Sequence, residues 1–344
     1  ISNSFFKMSK LLSIITVIIS TIGYSQSSGQ YMQLATEKYN NGDYKGAIQD
    51  CTQAIKLKPN NAELYYKRGM VYLTIGENRQ SAIEDFTKAL QFAPKSSEIY
   101  WARGNAKKTL NDLVGATIDL ETAIKFDSKN FSAYRNLAEI KSLQGDYTSS
   151  VNYYNFYIEN NATDDEIIIE RGNVQTKRLR YKEALIDYNK AIAINPNNSG
   201  YYLDRGKVKF YIEDYDGANV DFNNAIKINT NSLDLLYSIG TFFVEQEKFN
   251  DAIGYFNKIM ILDSNNSRAF LYRGFSKNGL KKFEEALFDL NKAIELEPDF
   301  GYSYLQRGFS KVQLGLAKQA CIDFNKAKEL GEDDADEYLE DYCE

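Results

Sequence analysis

The chain has 344 residues, 43% of them apolar and 26% charged, with a net charge of −6; that is enough apolar material for one to three packed domains and too much for a disordered chain. With no His and only three Cys, imidazole is removed as catalytic base, triad member or metal ligand, and the usual paired Cys/His zinc sites cannot be built. Pro is scarce, and Pro94, Pro196 and Pro298 stand 102 residues apart, three times 34.

In chain order, the first element reads as an export segment. Lys7 and Lys10 precede an apolar run at residues 11–22, and Gly23 and Ser25 follow as a small-residue cleavage site, the three-part layout of a secretory signal. The run of 12 residues is shorter than the ~20 that span a bilayer. Residues 1–25 are therefore expected to be cleaved, with a retained anchor as the alternative and Met8 as an alternative start. The mature protein would be periplasmic or secreted, and would meet a membrane only if the signal is retained.

Residues 28–331 write as nine units beginning at Ser28, Ala62, Ser97, Phe131, Asp165, Ser199, Leu233, Ser267 and Gly301, with one inserted residue near Glu77. One column is small throughout: Ala35, Gly69, Gly104, Ala138, Gly172, Gly206, Gly240, Gly274 and Gly308. Twelve residues later stand Ala47, Ala116, Ala184, Ala218, Ala252, Ala286 and Ala320. Paired small residues suit two antiparallel helices whose axes approach closely. Bulky columns such as Phe86, Tyr154, Tyr188, Phe222, Phe256 and Phe324 then fill the core, and the Pro positions end second helices.

This small-small-aromatic-Pro pattern at period 34 resembles the tetratricopeptide repeat family. The resemblance implies an all-α, right-handed α-solenoid (superhelix) of antiparallel helix pairs, with ligands along a concave face made by the first helices. It departs in one column, where Lys107, Lys141, Lys209, Lys277 and Lys311 replace the family's usual aromatic residue. The carboxylate clamp of the family's co-chaperones is not supported: Asn105 and Asn173 are in place, but Trp101 and Ile169 stand where its Lys would be.

The seventh position of the units and a column on the second helix vary together. Arg goes with Asp in six units: Arg68 with Asp85, Arg103 with Asp119, Arg171 with Asp187, Arg205 with Asp221, Arg273 with Asp289 and Arg307 with Asp323. An apolar residue goes with Tyr in two, Leu137 with Tyr153 and Ile239 with Tyr255; only Leu34 with Asp50 breaks the rule. Loss of both members together points to a structural pair inside each unit, since a planar guanidinium grips a carboxylate with two hydrogen bonds. A ligand-binding role for these charges is the alternative.

No catalytic apparatus stands out. The glycines are spread one or two per unit, without a phosphate loop. Carboxylates sit at repeat positions, where solvated or paired charge is the default. No enzyme activity, cofactor, metal or small-molecule substrate is expected. Cys51 occupies an aromatic core position and should be buried and inert. The repeats carry no net charge, which argues against nucleic acid.

On the concave columns the C-terminal units offer Leu203, Phe210, Tyr237, Val244, Leu271, Phe275, Leu305, Phe309 and Val312. If exposed, this apolar stripe is a docking groove for a peptide or helix of another protein; if the superhelix is tight, it is buried between neighbours. Tyr66, Met70, Leu73 and Trp101 occupy the same columns near the N-terminus. Residues 332–344 contain eight acids and no base and read as an acidic capping helix or a partner-binding tail. If the last repeat helix ends near Gly331 and the final helix runs back from Asp333, Cys321 and Cys343 lie equally far from the turn centred on Glu332. They are then either a disulfide that staples it down or two unrelated thiols. The function expected is an exported protein-binding scaffold, with a permanent envelope-complex subunit as the alternative.

Overall fold

The computed structural model of the protein describes residues 27–76 and 78–343. The export segment at residues 1–25 lies outside the described residues. Among these there are 19 helices and no strand. Eighteen form nine consecutive antiparallel pairs, from Ser28–Asn40 with Tyr44–Leu57 to Gly301–Gln313 with Ala317–Glu329. The chain divides into two compact bodies, the first ending at Ala162 and the second beginning at Thr163. The first holds four pairs; the second holds five and a terminal helix, Ala335–Tyr342. Both are all-α solenoid segments.

Local chemistry sets the helix starts. Ser27 opens the first helix with a reciprocal capping box, its hydroxyl accepting from the Gln30 amide while the Gln30 side chain accepts from the Ser27 amide. Asp43, Asp112 and Asp214 cap second helices by accepting from the amides of Gly46, Gly115 and Gly217 at 2.9–3.0 Å. A Cβ at those glycines would collide with the capping carboxylate. Where the cap residue is Arg180, Lys248 or Lys282, no side chain caps the helix, and an acid, Glu183, Asp251 or Glu285, stands in place of the glycine. Pro59, Pro94, Pro196 and Pro298 each lie two residues beyond a second helix, where no helical N–H is needed.

Within each pair, the small column meets the bulky one. A Cβ added to Gly69, Gly206 or Gly240 would stand 2.7–2.8 Å from the ring of Phe86, Phe222 or Phe256, closer than carbon atoms can approach. Alanine holds the same column in units one and four, as Ala35 and Ala138, where the bulky column has Cys51 and Tyr154, both buried at 1% exposure. Tyr157 and Ile259 replace alanine in units four and seven; Ile259 is fully buried and Tyr157 packs edge-on to Phe131.

Candidate partner-binding surface

The six Arg–Asp pairs bridge the two helices of their own unit. In every one, the guanidinium Nε and Nη2 donate to the two carboxylate oxygens at 2.5–2.9 Å. The Asp residues are 0–5% exposed, so these are desolvated, two-pronged contacts. The remaining Nη1 of Arg68, Arg103, Arg205, Arg273 and Arg307 donates to Thr52, Thr87, Asn189, Asn257 and Asn291 of the preceding unit, at 2.7–3.2 Å. One side chain thus joins two helices of its own unit and ties that unit to its neighbour.

The lysines that replace the family's aromatic residue complete the arrangement. Lys107, Lys209, Lys277 and Lys311 reach Asp119, Asp221, Asp289 and Asp323 at 2.7–2.8 Å, each beside the Arg of the same helix. In unit one, where Leu34 stands in the Arg column, Lys38 carries Asp50 alone at 2.7 Å, and this bond raises the Lys38 pKa. Spacing four residues along one helix aims Arg and Lys at one carboxylate. Where Asp gives way to Tyr255, Phe243 stands in the Lys column, and their rings stack at 5.5 Å.

The apolar stripe is less open than its sequence suggests. Leu271 and Leu305 are 1% and 2% exposed and belong to the core. Leu271 is enclosed with Phe270 and Leu290 against Phe300 of its own unit and Tyr302 of the following one, and Leu305 belongs to the last cluster, on which Tyr338 and Leu339 of the terminal helix pack. Leu203, Phe210, Tyr237 and Val244 are half-buried against one cluster centred on Phe222, Phe242 and Phe256. Phe275 and Phe309 are half-buried beside Tyr302 and Tyr338 respectively, and Val312 packs on the last cluster. The physical cause is the repeat stack: first-helix side chains aimed at the inner face are overlapped by bulky residues of the next unit.

A better-formed opening lies at the other end. Met32, Thr36 and Tyr39 of the first helix, with Tyr66, Lys67 and Met70 of the third, line an open cleft of about 360 Å³ floored by Ala35 and Cys51. Tyr66 donates its phenol to Glu98 at 2.8 Å across the rim, and burial, aided by this bond, raises its pKa. Burial likewise pushes the Cys51 thiol up to about 11, so it is a weak nucleophile at neutral pH.

In the second body, a polar cleft of about 340 Å³ is lined by residues including Asn173, Thr176, Tyr188, Asp204, Lys207 and Tyr211. Burial drives the Asp204 carboxyl up to about 6, with Lys207 opposing and Glu170 adding to the shift. Cys321 and Cys343 form a disulfide that closes the terminal helix onto the ninth unit. Among the described residues, no cluster of three or more His, Cys, Asp or Glu is arranged to hold a metal, and no helix is long and apolar enough to cross a membrane.

A family model described as TPR repeat matches residues 36–76, and one described as tetratricopeptide repeat matches residues 62–96 and 273–300. Among solved structures, a tetratricopeptide repeat protein from Parabacteroides merdae shares 21% identity, with 72% of this chain and 98% of that one covered and a TM-score of 0.52. PilW, described as a widely conserved type IV pilus biogenesis factor, shares 19% identity over 62% of this chain and 98% of its own, with a TM-score of 0.56. Yeast Tom70 shares 16% identity over 99% of this chain and 93% of its own, at 0.51. At these identities the likeness is one of fold. No curated protein matches the sequence.

Proposed function

We propose, from the premise that the chain is a tetratricopeptide-repeat protein, that it is an exported scaffold holding an apolar segment of another protein in its N-terminal cleft. The observation that carries this reading is the cleft itself: two methionines and two tyrosines line an open concavity on the first-helix side of the repeats. Methionine adapts to varied apolar shapes, and tyrosine supplies contact area with a polar edge. Binding would come from burying one or two large apolar side chains of the partner, with Lys67 and Glu98 at the rim fixing direction. No bond is made or broken in this role, and no cofactor enters it.

Export is supported by the Lys7 and Lys10 flank, the apolar run at residues 11–22 and the small-residue site after it. An intrachain disulfide fits a periplasmic or secreted protein, because such bonds persist in oxidising compartments. The test is selection of displayed peptides on the full chain. Selected peptides are expected to share a large apolar anchor and to lose at least tenfold in affinity to Met70→Asp, with the melting temperature little changed. Peptides that bind the variant as well as the wild type would refute the cleft as the site.

A further inference from the structure

We propose that the terminal helix Ala335–Tyr342 is a redox-latched cover over a second docking surface, on the ninth unit, and that this surface takes an acidic amphipathic helix of the cover's own chemistry. The helix presents two unlike sides. Ala335 is fully buried, and Tyr338, Leu339 and Cys343 pack on the cluster formed by Leu305, Ala320, Phe324 and Ala327. Tyr338 stacks on Phe324 at 5.1 Å and meets Phe309 edge-on at 6.4 Å. Asp336, Glu337, Glu340 and Asp341 face solvent, and Lys328 on the ninth unit holds Asp336 at 2.6 Å. The surface beneath is the face that a tenth repeat would cover, and its present occupant displays the ligand chemistry it accepts: aromatic and aliphatic anchors on one side, acids on the other.

What holds the occupant is covalent. The helix has 8 residues, fewer than the roughly 12–15 that persist alone in water. It is tied at one end through Gly331, a turn residue with φ +91°, and at the other by the Cys321–Cys343 bond, which closes a loop of sequence separation 22. A dithiol reductant passes two electrons and two protons to this bond. The S–S link breaks to two thiols, and the reductant leaves as its own disulfide. With one tether gone, the open population should rise on the order of a hundredfold from loop entropy alone.

The experiment uses a fluorescent peptide of residues 332–344 carrying Cys343→Ser, added to the full chain in its oxidised form, after dithiol reduction, and as Cys321→Ser. Binding at least tenfold tighter to the reduced and Cys321→Ser forms is expected, with exchange of amides 335–342 at least tenfold faster in both. Tyr338→Asp in the peptide, which leaves the protein untouched, and a scrambled peptide of equal charge should both fail to bind. Unchanged exchange on reduction would overturn the latch. Faster exchange without peptide binding, or equal binding of the scrambled peptide, would overturn the docking surface.

Discussion

Two arginines in the first body make a controlled comparison of what a second cation is worth to a buried carboxylate. Arg68 and Arg103 hold Asp85 and Asp119 with the same two hydrogen bonds, and each reaches a threonine of the preceding unit. The Asp side chains are similarly enclosed, at 7% and 3% exposure. They differ in the next column: Lys107 stands on Asp119 at 2.8 Å, whereas unit two has Tyr72 in place of that lysine. Arg68→Leu therefore strands a buried charge and should cost about 3–5 kcal/mol. Arg103→Leu leaves Asp119 with Lys107, and the loss should fall to about 1–2 kcal/mol, the scale of lost hydrogen bonds to a charged group. Adding Lys107→Met should restore the full penalty. Arg68→Leu with Asp85→Tyr, the combination that unit four already uses and unit seven matches with Ile239 and Tyr255, should recover most of the stability. Urea unfolding read with amide exchange along units two and three measures this, since a repeat array need not unfold in one step. Equal losses for Arg68→Leu and Arg103→Leu would refute the role given to lysine, and absence of rescue would refute the pairing.

Two further substitutions follow from the same geometry. Burial raises the folded pKa of Asp204 to about 6, above the ~3.9 of a free Asp, so the folded protein binds the extra proton between those values and stability falls as pH rises through that window. Asp204→Asn should flatten this dependence and add about 1–2 kcal/mol at pH 7, measured as melting temperature across pH 4–7; an unchanged profile would show that Asp204 is not its source. Gly206→Ala would place a methyl 2.7 Å from the Phe222 ring, and overpacking of this kind costs about 1–3 kcal/mol. A neutral Gly206→Ala would show that the helices separate freely.

The helix pairs were legible because the small and bulky columns recur in register, and packing two helices leaves little alternative at Gly69 and Phe86 or Gly206 and Phe222. The Arg–Asp columns were legible because both members disappear together at Leu137 with Tyr153 and at Ile239 with Tyr255. Their lysine partner was not, since Lys107 and its equivalents read as a departure from the family pattern. The signal was the one exception to the rule, Leu34 with Asp50, where Lys38 stands four residues on from the missing Arg. The capping columns were overlooked as well, although Asp43 with Gly46 and Lys248 with Asp251 alternate as clearly. The openness of the stripe from Leu203 to Val312 was not legible, for another reason. Whether a first-helix side chain faces solvent depends on the bulk of the next unit, and a column read down the sequence carries no measure of that overlap. Leu305 shows this most simply, since Tyr338 and Leu339, which lie outside the repeats, help to close its cluster.

The third hydrogen bond of each arginine fork has a mechanical meaning. In a stack where each repeat touches only its neighbours, the strength of each joint sets how far a local opening spreads. The forks from Arg68 and Arg103 span the joints between units one and two and between two and three. Those from Arg205, Arg273 and Arg307 span the joints between five and six, seven and eight, and eight and nine. At the joints into units four and seven, Leu137 and Ile239 take the arginine's place. Within each body, a pulled chain would accordingly yield at the joint into unit four or unit seven before the joints that carry a fork, so the 102-residue period also marks the softer joint of each body.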